Sequence, residues 1–105
     1  MVQYISYMPV LKKFKLRTQV WRWPGDMGWH FITIPKNISE KIQKIGKPYG
    51  SGFIRSKVQI GKTVWQTALF PYTRENVYLI AVKKSIRQKE CIFDKDMVSV
   101  FFTLI

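Results

Sequence analysis

Two stretches decide the fold: FITIPKNISEKI at residues 31–42 and YLIAVKKSIRQK at residues 78–89, offset by 47 positions. Each runs an apolar extended segment into a basic residue, Lys36 or Lys83, and then into a short helical pattern. In the first copy Ile38, Ile42 and Ile45 fall at i, i+4 and i+7, one stripe of a helix. Asn37 or Ser39 is expected to cap its start, and Gly46 is expected to end it in the left-handed conformation. In the second copy NVYLIAV (76–82) is apolar on both faces, as a strand buried on both sides would be, and KKSIRQKE (83–90) is helical or turn-like.

Each copy is preceded by an alternating strand that carries a tryptophan, Val20-Trp21 or Val64-Trp65. Each is followed by another strand, FIRSKVQI (53–60) or MVSVFFTLI (97–105). PGDMG (24–28), PYTREN (71–76) and FDKD (93–96) read as turns, and GKPYGSG (46–52) as a loop. Two hairpin–helix–strand units predict a mainly β fold: a small closed barrel with a pseudo-two-fold repeat and one or two short helices. Closure is favoured because it removes exposed strand edges. Residues 12–105 form one domain in this reading, and residues 1–11 are an N-terminal extension or an extra strand.

Composition agrees with a single folded domain. The chain has 105 residues with 47% apolar content, too much for a disordered polycation even at a net charge of +12. At that length about 60–70% of the unfolded surface is buried. The single cysteine, Cys91, excludes an internal disulfide, a redox pair and a thiolate zinc cluster, and it reads as a small buried hydrophobe. The apolar run VSVFFTLI is far shorter than the roughly 20 residues of a membrane-spanning helix. Apolar residues precede cations at the N-terminus, the reverse of a secretory signal. A cytoplasmic protein without membrane attachment, monomeric or homodimeric, is expected.

From Phe14 to Ile105 the chain resembles an uncharacterised prokaryotic family, the domain of unknown function numbered nineteen-zero-five. The resemblance runs through Trp29, Phe31 and Pro35, then Gly61, Trp65, Thr67, Leu69 and Pro71. It continues through Tyr78, Lys83, Lys84, Ile86 and Arg87 to Asp96, Val98 and Val100. Lys95 stands where the family often has glycine, so that turn is expected to differ in backbone geometry. The resemblance implies a double-split β-barrel similar to that of AbrB-like regulators, with both halves fused in one chain. It implies no function, and the DNA binding of AbrB-like proteins carries no site residue across.

The residues do not assemble a catalytic site, and the expectation is a non-enzyme with no cofactor and no metal. His30, the only histidine, shares a strand face with Ile32 and Ile34 and reads as a packed or hydrogen-bonded strand residue. Asp94 and Asp96 are too few for an oxygen-ligated cation, and GKPYGSG lacks the Gly-Lys-Ser/Thr of a phosphate loop opening a helix.

The binding constellation is stronger. The non-apolar face of KFKLRTQVWRW carries Lys13, Lys15, Arg17, Gln19, Trp21 and Trp23 in a row of about 33 Å. Cations can follow a phosphate backbone while indoles stack on bases, as single-strand binders do. Trp21 and Trp23 are equally readable as core, whereas Trp29 and Trp65 read as core residues. Arg55 and Lys57 repeat the cationic motif in FIRSKVQI. Lys83, Lys84, Arg87 and Lys89 form a second cluster, either a phosphate grip or the polar face of a surface helix, with Arg87 alternatively paired to Asp94 or Asp96. Residues 1–57 carry +9 of the +12. The expected function is a basic β-barrel module that binds nucleic acid or another polyanion with low base specificity. The alternative is a small-ligand or protein-interaction barrel.

Overall fold

The computed structural model describes residues 13–105; the N-terminal extension expected at residues 1–11 lies outside the described residues. Six antiparallel strands close in the order β1-β2-β5-β4-β3-β6. They are β1 (Lys13–Arg22), β2 (His30–Ile34), β3 (Ile54–Ile60), β4 (Thr63–Tyr72), β5 (Val77–Ala81) and β6 (Met97–Leu104). Helix α1 (Lys36–Ile45) follows β2, and α2 (Lys84–Glu90) follows β5. The mainly β closed barrel expected from the sequence is therefore the fold.

The long strands β1 and β4 change partner midway. Up to Gln19, β1 pairs with β6, and from Val20 it pairs with β2. Likewise β4 pairs with β3 as far as Leu69 and with β5 from Phe70. The barrel thus consists of a first sheet, β1-β6-β3-β4, and a second, β1-β2-β5-β4, sharing two strands. At the handover Val20 donates its N–H to the Asp96 carbonyl (2.8 Å) and accepts from the Lys95 N–H (2.7 Å). Beyond Leu69 only β5 pairs with β4, which lets Pro71 sit inside a strand and carries β4 through the expected turn to Tyr72.

Exchanging β1 with β4, β2 with β5 and β3 with β6 preserves every strand pairing, so the pseudo-two-fold repeat holds in topology. Its offset, however, is even. Ile32 and Ile34 point inward and match Ile80 and Val82, and the helices open at Lys36 and Lys84, an offset of 48. The offset of 47 sets outward Phe31 against inward Tyr78. An odd shift always exchanges the two faces of a strand, so apolar content alone misplaced the copies by one residue.

The interior is filled by alternate strand residues: Val58 and Ile60 from β3, Val98, Val100 and Phe102 from β6, and Trp65 and Leu69 from β4. Ile42 of α1 and Ile86 of α2 join this core. Both expected caps of α1 are corrected. Pro35 is the N-cap residue and there is no side-chain cap; Ser39 instead lies buried inside the helix. Gly46 is extended, at φ −77°. Glycine is required there because a Cβ would come within 2.7 Å of Ile54 and 2.8 Å of the Ile42 carbonyl. Cys91 is exposed, not buried, because it ends α2 in the left-handed region at φ 53°. Lys95 is also left-handed, at φ 75°, the region in which glycine is at ease.

Candidate nucleic-acid interface and an adjoining groove

The candidate site residues are distributed over two surfaces. Lys13, Lys15 and Arg17 of β1 flank β6 on one side, and Arg55 and Lys57 of β3 flank it on the other. Alternation points all five outward and leaves them exposed. Lys13 and Lys57 both pair with Thr103, so about 10 Å, two strand spacings, separates their backbones. No aspartate or glutamate occurs in any strand of this sheet. The nearest acids serve its turns. Glu90 accepts from Thr63 Oγ1 (2.6 Å) and Lys62 N–H (3.2 Å), and Asp94 accepts from Arg22 N–H (3.1 Å).

Phe101 lies in the middle of this basic face. Its β6 neighbours Val100 and Phe102 point into the core, so Phe101 must point out, between Lys15 and Gln59, and it is 48% exposed. Arg17 is held flat against the same strand, donating from Nη1 to Ser99 Oγ (3.0 Å). The face therefore combines the Arg17 guanidinium bonded to Ser99, the Arg55 guanidinium lying over the exposed Tyr49 ring (4.8 Å), three lysines and the open Phe101 ring. The inward run Val98, Val100, Phe102 and Leu104 already implied an outward Phe101.

Trp21 and Trp23 continue the Lys13–Gln19 row along the chain but sit on the other sheet, because the handover at Val20 falls between them and the cations. Trp21 packs on Phe31 (5.4 Å between ring centroids) and donates from Nε1 to Thr33 Oγ1 (2.8 Å). Trp23 meets Phe31 at 5.9 Å and Tyr72 at 6.1 Å. Phe31 and Leu79 are buried yet stand outside the interior core, so the second sheet carries its own apolar layer on its outer face. This layer is why β5 is apolar on both sides. Trp65 is a core residue as expected, whereas Trp29 is 53% exposed.

Trp29 borders a groove of about 740 Å³ on that outer face. Its floor is Phe31, Phe70 and Phe53, the last two stacked at 5.5 Å, and Ala68 and Ala81 leave it open. Lys83, Lys84 and Arg87 line one end, and no carboxylate lines any part of it. Arg87 donates from Nε to the Val82 carbonyl (3.1 Å) and, at 3.5 Å, from Nη2 to the Gly28 carbonyl. The alternative pairings with Asp94 and Asp96 are not formed; Asp96 accepts from the Phe93 N–H (2.8 Å). His30, half-buried as expected for a hydrogen-bonded strand residue, donates from Nδ1 to the same Gly28 carbonyl (2.7 Å). The sequence pattern grouped Lys83, Lys84 and Arg87 but could not reveal the groove, whose lining comes from four separate segments.

Among the described residues no three acids, histidines or cysteines cluster as a metal site, and no helix is long and apolar enough to cross a membrane. No curated protein matches the chain. The family described as "Domain of unknown function (DUF1905)" matches residues 17–101, which include the greater part of β1, both helices and β2 through most of β6. The chain belongs to that family.

Proposed function

We propose that the domain is a non-enzymatic, cytoplasmic binding module for polyanions, nucleic acid foremost, and that the outer face of the first sheet is its contact surface. The observation that carries this reading is the acid-free face itself: Lys13, Lys15, Arg17, Arg55 and Lys57 share it with an exposed Phe101, which lies between Lys15 and Gln59. Cations neutralise phosphates and release counterions, and a ring in their midst gives an unpaired base a surface to stack on. Contacts to phosphate carry no sequence information, which favours low base specificity. Trp21 and Trp23 support the second sheet and are not part of the contact; Lys83, Lys84 and Arg87 belong to the groove.

The test is a titration of labelled single- and double-stranded oligonucleotides at several salt concentrations. If all five cations meet phosphates of a single strand, log K falls against log salt with a slope of about −3.5. Replacing Lys15, Arg17 and Lys57 by glutamine reduces that slope by about 2. Absence of binding at low salt, or a salt response untouched by the triple replacement, contradicts the proposal.

A further inference from the structure

The two strand-to-helix junctions are equivalent under the 48-residue offset, and among the positions at which they differ one sets Ser39 against Arg87. Ser39 of α1 is buried; its hydroxyl donates to the Ile34 carbonyl (3.0 Å) and accepts from the Tyr78 N–H (3.1 Å). Its counterpart in α2 is Arg87, which donates from Nε to the Val82 carbonyl, the counterpart of the Ile34 carbonyl. One N–H of the guanidinium thus makes the donated bond of the Ser39 hydroxyl, though not the accepted one. Nη2 reaches the Gly28 carbonyl at 3.5 Å, and the charged, planar, half-buried group lines the groove beside Lys83 and Lys84. A guanidinium fork suits a carboxylate or a comparable oxyanion.

The remainder of the groove is apolar and aromatic. Phe31, Phe53 and Phe70 form a floor of ring faces and edges, and the two alanines give it depth. A volume of about 740 Å³ falls within the range of small-molecule sites and is too small for a folded partner. Three cations at one end and no carboxylate anywhere in the lining fix the sign of the occupant. We propose that this groove binds a small organic anion with a flat aromatic body. The anionic group meets Arg87, Lys84 and Lys83, and the body stacks over Phe70, whose ring is 40% exposed. This site is separate from the basic face of the first sheet and does not depend on it.

Calorimetry and tryptophan fluorescence on the full chain, with 2-naphthoate as probe, test the assignment. Trp29 at the lip of the groove should report saturable one-to-one binding. Uncharged 2-naphthamide should bind about tenfold more weakly, the size of one lost charge-assisted hydrogen bond. Octanoate, which keeps the charge without a ring, should also bind more weakly. Lys84→Gln, at an exposed position, should lower naphthoate affinity about tenfold with the melting temperature unchanged, and Arg87→Gln by at least as much. Ala81→Leu, which fills the groove and removes no charge or ring, should abolish binding. The variant lacking Lys15, Arg17 and Lys57 should bind naphthoate as the parent does, so failure of the nucleic-acid reading leaves this one standing. Equal binding of naphthoate and naphthamide, octanoate matching naphthoate, unaltered affinity in Lys84→Gln, or naphthoate binding by Ala81→Leu overturns the proposal.

Discussion

The outer faces of the two sheets share β1 and β4 and differ in nearly everything else. On the first, outward residues are mainly Lys, Arg, Gln, Ser and Thr, with Val64, Met97 and Phe101 each about half exposed; on the second, Trp21, Trp23, Phe31 and Phe70 cover one another until Phe31 is only 5% exposed. A strand face in a split barrel is therefore not one environment from end to end. The same alternate row of β1 starts among solvated cations and finishes in an aromatic layer, and the change coincides with the change of pairing partner at Val20.

The largest test of this contrast compares two phenylalanines that both point outward. Phe31→Ala should lower the free energy of unfolding by about 3–5 kcal/mol, because the ring is buried under four others. Phe101→Ala should lower it by less than about 1 kcal/mol, since half of that ring already meets solvent. Urea denaturation measures both, and equal losses would erase the difference between the faces. Trp21→Phe removes the donor to Thr33 Oγ1 along with some ring area, for a loss of about 1–2 kcal/mol. A purely stacking indole exposed to solvent would show almost none.

The smallest effect lies at the handover between the faces. Lys95 keeps a left-handed backbone while its N–H holds Val20 and its carbonyl accepts from Gln19 Nε2 (3.2 Å). Lys95→Gly relieves that backbone strain and should raise stability by about 0.5–1 kcal/mol, net of the extra freedom glycine gains when unfolded. A destabilised variant would mean that the lysine side chain matters more than the backbone at this turn.

Much of this was legible in the residues. Alternation found β1, β3 and β4, because inward positions of a barrel are apolar; along Ile54–Ile60 the exception is Ser56, whose hydroxyl bonds the Thr103 carbonyl (3.0 Å), while β5 is legible only as a run apolar on both faces. The five cations of the first sheet were found for the same reason, as the polar half of that alternation. What alternation cannot carry is the neighbour across the sheet. Lys13 and Lys57 face one another only through β6, and Trp29, Phe53, Phe70 and Arg87 meet only when β2, the segment before β3, β4 and α2 converge. Gly46 was correctly marked as special for the wrong cause: a close approach to Ile54, invisible locally, and not a positive φ, demands it.

The central claim is that the basic face of the first sheet receives the polyanion. Nuclear magnetic resonance mapping of the backbone amides during titration with a short oligothymidylate at low salt tests it most directly. Shifts should concentrate at Lys13–Arg17, Arg55–Lys57 and Ser99–Thr103 and be reversed by added salt, with Trp29–Phe31 and Lys83–Arg87 unmoved. Shifts confined to the groove residues, or none at any salt, would contradict it.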